Sequence, residues 1–492
     1  MKEEFLEAPS PDSDELGPHA LIATITAKPE HSDALQEDLL SPVPLTRHED
    51  DSVVYHLHRD HADPNVFVFQ EAWKAPGGSA GTQSLNLTYL RRRLMTHQTL
   101  NPHLSWPQNF NEIPKESFVR PDIYRAELER IFYGREWHPI AHESELPNPG
   151  DFKTTKLVDV PLLIARGQDG TVRVFFNDCS HRGNQLETAP FGTKKEFECP
   201  YHRWLFSTEG QLIGCPNQSG YSPGFNRKDY PLSQPRTDSY LGLIFVTMSP
   251  DTESLSEFLG EEMKPTLAEL MGGDGRLKLL GYQKVSYRSN WKIYADNDGY
   301  HAPLLHKAFG LLNWQGGKGR QFTATKRGHI GFESQLSVST GANVLKDPSI
   351  IAFKGADPTV GTRIVELFPT FVSTKHLDVI NLRFANPVGV DKVEVHYAYF
   401  AHQDDNEELL RHRLRQSSNL LGPSGLVSLE DASIFNRVFA GSFTPGNAVF
   451  QKGVKDFRKL PAQELQQNEE SGNLARWEYY RTVMEFSRSD EA

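Results

Sequence analysis

Two short segments, "CSH" at 179–181 and "CPYH" at 199–202, constrain this 492-residue chain more than any other feature. Each supplies one cysteine and one histidine, and seventeen residues separate His181 from Cys199. Two thiolates and two imidazoles can hold a tetrahedral zinc, or a [2Fe–2S] cluster with both cysteines on one iron and both histidines on the other. Structural zinc sites pair like ligands, as in C-x₂₋₄-C and H-x₃₋₅-H. One ligand of each kind per segment fits the two-iron cluster better. Either metal needs the two segments side by side as loop tips. The flanking "TVRVFFND", "FECPYHRWLFS" and "GLIFVTMS" read as short strands, so a small all-β module is expected over 126–250, with its core at about 137–235. Only Cys215 is left over, and three cysteines argue against a disulfide framework.

A second constellation lies in "DNDGYHAPLLH", residues 296–306. Two histidines and a carboxylate can form a facial triad that leaves open positions on Fe(II) for O₂. His301 and His306 are five apart, which separates them by about 140° on an ideal helix. Both reach one metal only if a turn is distorted or ends near Pro303. Asp298, three residues before His301, shares its helical face and suits the carboxylate that orients a ligand imidazole. Taken alone, the stretch reads better as a solvated polar helix.

Together these segments resemble the α (large) subunit of Rieske non-haem iron aromatic-ring-hydroxylating oxygenases. "CSHRGNQ" and "CPYHRWLFSTEGQL" follow that family's C-x-H-R-G and C-P-Y/F-H-x-W pattern, with Arg203 where Gly is usual. "NWKIYADNDGYHAPLLH" follows its N-W-K, acid-Asn, Asp-x-Y-H-x₄-H segment, shortened before Asp298. "GLVSLEDASIFNRV" (425–438) resembles its late acidic segment. The resemblance spans about 115–460 and leans to the benzoate-dioxygenase-like branch through "DGYH" and "SPDTESLSEFLG".

It implies a Rieske [2Fe–2S] cluster on Cys179, His181, Cys199 and His202. It also implies a mononuclear Fe(II) on His301, His306 and Asp431, with Glu430 as the substitute for Asp431. Asp298 is implied to bridge to His202 of the next subunit in a head-to-tail trimer, with Asp296 as competitor. The implied reaction takes O₂ and NAD(P)H electrons from a separate reductase, directly or through a ferredoxin, and hydroxylates an aromatic ring, such as that of an aromatic carboxylate. A small β-subunit usually accompanies this branch. Oxidative demethylation or amine oxidation uses the same metals, and an electron-transfer protein without catalytic iron is the alternative of another class.

The expected fold class is α+β in three parts. "LIATITAK", a helical "PEHSDALQEDLL", and a hairpin of "SVVYHLHRD" and "NVFVFQEAW" open a ferredoxin-like domain. This run resembles antibiotic-biosynthesis-monooxygenase-like (ABM-like) domains, and an assembly or docking role is expected of it. His56, His58 and His61 read as solvated hairpin histidines. The expected boundaries are a mobile tail at 1–18, the ABM-like domain at 19–100, a linker at 101–125 and the Rieske module at 126–250. An antiparallel sheet flanked by helices follows at 251–465, and a C-terminal tail at 466–492.

A net charge of -12 offers no electrostatic footprint for nucleic acid or an anionic membrane. No apolar run approaches the roughly 20 residues of a membrane span, and the acidic N-terminus lacks a signal peptide's features. A cytoplasmic protein is expected.

Overall fold

The computed structural model describes the backbone of residues 20–26, 52–59 and 66–73. It also describes residues 101–489 apart from 298–318, 325, 336–344, 356–360, 461–463 and 467–468. The chain divides into two compact units, Met1–Thr82 and Gln83–Ala492. In the first, β1 (Ala20–Thr26), β2 (Ser52–Arg59) and β3 (Val66–Trp73) form an antiparallel sheet in the order β1-β3-β2. That order matches the expected strand–helix–strand–strand opening. The tail at 1–18, the helix expected in "PEHSDALQEDLL" (29–40), and the side chains of His56, His58 and His61 lie outside the described residues.

The second unit includes the segment where a linker was expected. Residues 101–125 are instead part of its core. Trp106, Ile113 and Phe118 are buried, and β4 (Glu112–Pro114) pairs with a strand more than 300 residues later. The helix α1 (Pro121–Glu127) starts on a proline, whose missing N–H costs nothing at that position. β5 (His138–His142) then enters the all-β module. β6 (Asp151–Leu157), β7 (Val160–Arg166), β8 (Val172–Phe176) and β9 (Phe191–Thr193) form one sheet in the order β8-β7-β6-β9. β10 (Glu196–Glu198), β11 (Leu205–Ser207) and β12 (Leu212–Gly214) form a second. β13 (Arg236–Tyr240) and β14 (Leu243–Thr247) close the module by pairing back to β5. The first two sheets enclose Leu163, Phe175, Phe197, Trp204, Phe206 and both ligand cysteines.

Next comes α2 (Leu255–Leu270). Ser254 and Glu257 cap it reciprocally, side chain to backbone in both directions. Gly260, at φ 64, kinks it after the first turns. Its buried face carries Leu255, Phe258, Leu259, Met263, Leu267 and Leu270, and each such burial contributes about 1.5–3 kcal/mol.

That face covers one side of an antiparallel eight-stranded sheet. Its strands are β15 (Leu277–Tyr287), β16 (Gly319–Ala324), β17 (His329–Ser334), β18 (Thr362–Leu367), β19 (Phe371–His376), β20 (Val379–Gly389), β21 (Lys392–His402) and β23 (Glu464–Gln466). The order is β15-β21-β20-β19-β18-β17-β16-β23. β22 (Asn447–Val449) is the partner of β4. On the opposite side of the sheet pack α3 (Trp291–Ala295), α5 (Ser428–Gly441) and α6 (Ser471–Val483), while α4 (Glu407–Gln416) lies between β21 and α5 in sequence. The α+β class with its three expected architectures is what the structure has.

The expected C-terminal tail, 466–492, holds α6, whose Leu474, Trp477 and Tyr480 are buried. Trp106 stacks on Phe486 at 5.9 Å and lies 6.0–6.3 Å from Tyr480 and Trp477. Both ends of this unit therefore seal one aromatic core. Among the described residues no helix is long and apolar enough to cross a membrane.

Candidate metal centres

The loop after β8 and the loop between β10 and β11 share one hydrogen-bond pattern. Cys179 N donates to Asn184 O and Gly183 N to Cys179 O, both at 2.8 Å. Cys199 N donates to Trp204 O at 2.8 Å and Arg203 N to Cys199 O at 2.9 Å. In each loop the cysteine carbonyl accepts from the residue four later, and that residue must turn into the left-handed region. Gly183 does so at φ 70 without cost, and Arg203 does so at φ 59 against its own Cβ. The pattern explains why glycine is usual at the second position, and it tolerates arginine. The Arg203 side chain is well exposed and ion-pairs with Glu198 at 2.8 Å.

The loops bring the two predicted cysteine ligands to each other and the two predicted histidine ligands to each other. Both cysteines are about 99% buried, and their thiols lie close enough to share a hydrogen bond. Burial pushes the Cys179 thiol up to about 12, although backbone N–H groups of His181 and Arg182 point at it. A thiolate there needs a cation to stay ionised. The His181 and His202 rings stand 4.6 Å apart at 68°. Trp204 stacks on His181 at 4.6 Å and 12°, and Tyr201 lies 3.8 Å from His202. His202 Nδ1 is buried with no hydrogen-bond partner among the described residues, an unmet lone pair that a metal would satisfy. Two buried soft sulfurs beside two paired imidazoles, one with an orphaned ring nitrogen, fit a Rieske [2Fe–2S] cluster.

The second predicted constellation follows α3 directly in sequence. Asn290 caps this helix, accepting from Lys292 N at 3.1 Å and donating to Val390 O at 2.8 Å. All five α3 residues are buried. Lys292 is neutralised by Glu127 of α1 at 2.5 Å, and Glu127 also accepts from Trp291 Nε1 at 2.7 Å and from the Tyr480 hydroxyl of α6. At the far end of α3, Trp477 Nε1 donates to Asp296 Oδ1 and Asn473 Nδ2 to Asp296 O, both at 3.0 Å. The Asp296 carboxyl is enclosed, and burial raises it to about 8.

Asp298, His301 and His306 follow immediately and lie outside the described residues. Asp431 and Glu430 sit half-buried in the first turn of α5. Asp431 is one turn before Phe435, which places both on one helical face. Phe435 packs against Tyr294 of α3 at 5.8 Å and Tyr287 at 5.1 Å. Asp431 is thereby directed towards the side of the sheet where α3 ends.

Sequence reading missed Glu127, Trp477 and Tyr480 as supports of this segment. Glu127 and Trp477 lie 165 and 181 residues from their partners on or beside α3, and Tyr480 lies 353 residues from Glu127. No local motif marks them.

Comparison with known proteins follows the same division of the chain. Residues 136–231 match the Rieske [2Fe-2S] domain, 275–484 the ring hydroxylating alpha subunit catalytic domain, and 18–75 the antibiotic biosynthesis monooxygenase family. The large subunit of anthranilate 1,2-dioxygenase from Burkholderia cepacia is 32% identical over 365 residues, covering 69% of this chain and 85% of that protein. The large oxygenase component of salicylate 5-hydroxylase from Ralstonia sp is 31% identical over 369 residues, covering 67% and 84%. Naphthalene 1,2-dioxygenase from Rhodococcus sp. bound to indole shares the fold, with TM-score 0.67 at 24% identity over 76% of this chain and 94% of that one.

The two matched domains imply a Rieske cluster and a mononuclear Fe(II), with electrons from a reductase. With relatives aligned over most of their own length and both domain matches falling on the sheets just described, the chain belongs to the ring-hydroxylating oxygenase α-subunit family, whose members are oxidoreductases.

Proposed function

We propose that this chain is the terminal oxygenase that hydroxylates the ring of an aromatic acid, using O₂ and electrons relayed from a separate NAD(P)H reductase or its ferredoxin. The Rieske cluster supplies electrons one at a time, and a mononuclear Fe(II) supplies the site where O₂ is activated. Cys179 and Cys199 hold one cluster iron, and His181 and His202 the other. Trp204 fixes the His181 ring by stacking, and the shared loop pattern holds both cysteines behind it. His301, His306 and Asp431 would hold the catalytic iron, with Asp431 carried in the first turn of α5.

Asp298 is the bridging carboxylate to His202 of the next subunit. The Asp296–Trp477 hydrogen bond supports this, because Asp296 is held inside its own chain. A head-to-tail trimer, with or without a small β-subunit, would bring the two metals within reach of each other. The cytoplasm, where reduced nicotinamide is made, is the proposed compartment.

The observation that carries the reading is the buried pair of Cys–His loops with its orphaned His202 nitrogen, in a chain 31–32% identical to oxygenases named for aromatic acids. The test is to supply reconstituted enzyme and reductase with benzoate, salicylate and anthranilate under ¹⁸O₂. A ring-hydroxylated product, cis-dihydrodiol or phenol, carrying the label is expected. Dealkylated or amine-oxidised products alone would overturn the reading.

A further inference from the structure

Hairpin tips ordinarily lie at the surface and carry Gly or Asn where the first turn residue needs a positive φ. Two tips of the β-module depart from this. Val158 stands between β6 and β7 at φ 54, and Leu241 stands between β13 and β14 at φ 47. A β-branched residue in that region is strained, because its Cβ crowds the backbone. Val158 is nevertheless only 4% exposed. It belongs to the core on the α3 side of the eight-stranded sheet, and Leu241 packs against the core on the α2 side.

A side chain of the large sheet holds the Val158 tip. Val158 N donates to Asn386 Oδ1 at 2.6 Å, and Asn386 Nδ2 donates to Val158 O at 3.2 Å. One amide on β20 thus meets both backbone groups of one turn residue, as a neighbouring strand would. Its oxygen and nitrogen each have a partner, so only one orientation of the amide serves.

The other attachments of the module lie along β15 and β21. Asn386 pairs with Glu394 near the start of β21, and Leu277 pairs with His402 at its end. There Leu277 N donates to Ser144 Oγ at 3.2 Å, and Gly275 lies so close to the Leu241 carbonyl that a Cβ would come within 2.6 Å of its oxygen. Between the two ends, Tyr282 donates to Glu145 Oε2 at 2.7 Å and stacks on Phe191 of β9 at 6.0 Å. Glu394 and His402 are about 27 Å apart along the strand. The module therefore lies along the sheet's edge like a bar fixed at both ends. β7, which leaves the Val158 turn, pairs with β8, and the loop after β8 carries Cys179 and His181. Releasing the Val158 end lets the bar swing, and the cluster loops swing with it.

We propose that Asn386 is a positioning residue for electron transfer. By holding the strained Val158 turn it fixes the tilt of the cluster module on the sheet, and with it the path from the cluster to the catalytic iron of the next subunit. This rests on the transfer between subunits proposed above. Strain of this kind persists where the surrounding structure over-determines a conformation, and a misplacement of about 1 Å can cost a reaction step about a hundredfold.

The test uses the full metal-loaded chain with Asn386→Ala. Nitroxide labels are placed at two exposed positions, Thr171→Cys in the module and Asp404→Cys after β21, in a Cys215→Ser background. Labelled chain is diluted into unlabelled chain, so that distances within one chain are read by pulsed electron resonance. The parent chain should give one narrow distance, and Asn386→Ala should broaden or shift it. In unlabelled enzyme, a pre-reduced cluster given O₂ and benzoate, salicylate or anthranilate should lose its electron about tenfold or more slower in Asn386→Ala. Its visible spectrum and midpoint potential should stay the same. Val174→Ala removes a buried contact of the module away from the turn, and should move neither readout. If Asn386→Ala shows no cluster absorption, Asn386→Asp keeps the acceptor for Val158 N and should show the same changes to a smaller degree.

An unchanged distance or an unchanged transfer rate in the variant that folds would overturn the proposal, as would equal changes in Val174→Ala. Failure of the wider reading looks different. The unmodified enzyme would then pass no electron from its cluster with any of the three acids, and the proposal would fall with it.

Discussion

At the scale of single residues, Arg203 shows how a backbone requirement and a side-chain choice can part company. Its φ of 59 is imposed by the carbonyl of Cys199, and a left-handed residue with a Cβ carries about 1–2 kcal/mol of strain. The exposed pair with Glu198 returns at most about 1 kcal/mol. Arg203→Gly should therefore leave stability unchanged or raise it by up to about 1 kcal/mol in denaturant unfolding, with the cluster spectrum intact.

Glu136 gives a pH signature. It is buried, accepts from the Tyr479 hydroxyl at 2.6 Å, and burial raises it to about 7. A carboxyl raised in the folded state binds more protons folded than unfolded between its two pKa values. Its contribution is full below about 4.5 and is lost as pH rises through about 7. Glu136→Gln should flatten the fall in melting temperature between pH 5 and 8. A slope identical to that of the unmodified chain would refute it.

Elements differ in how far they could be read in advance. The two Cys–His loops were legible because ligands, turn residues and flanking strands all lie within 35 residues of one another. Aromatic-rich runs such as "RIVELF" and "KVEVHYAYF" were legible as strands, and their antiparallel assembly came from the family resemblance. By contrast, 101–125 and α6 looked like a linker and a tail. What holds them is mutual, Trp106 against Trp477, Tyr480 and Phe486, and pairing at that separation leaves no periodic trace. The same distance hid Glu127, which ties α1, α3 and α6 together. Glu127→Ala would strand the buried Lys292 ammonium, and breaking a buried pair on one side costs about 3–5 kcal/mol. Loss of that stability, accompanied by less iron per chain at equal cluster absorbance, is the expected outcome. Metal analysis beside the visible spectrum checks it.

For the whole molecule, the division at Thr82 marks where the ABM-like unit can be removed. Cutting at 110 instead would take away Leu104 and Trp106, both buried in the second unit. A chain lacking 1–82 should keep its cluster spectrum and melting behaviour while its assembly size or its turnover with the reductase changes. Sedimentation and coupled turnover measure these, and no change in either would end the docking role.

The clamp on α3 has a consequence for synthesis. Asp296 leaves the ribosome 181 residues ahead of Trp477, the residue that fixes it. At about 5–20 residues per second, that is an interval of about ten to forty seconds. During it the β-module can already fold around its own four ligands, whereas Asp296 still lacks its indole partner. Iron–sulfur insertion can thus begin on the nascent chain before Trp477 has been made. A polypeptide that stops short of Trp477 would be coloured by its cluster yet inert.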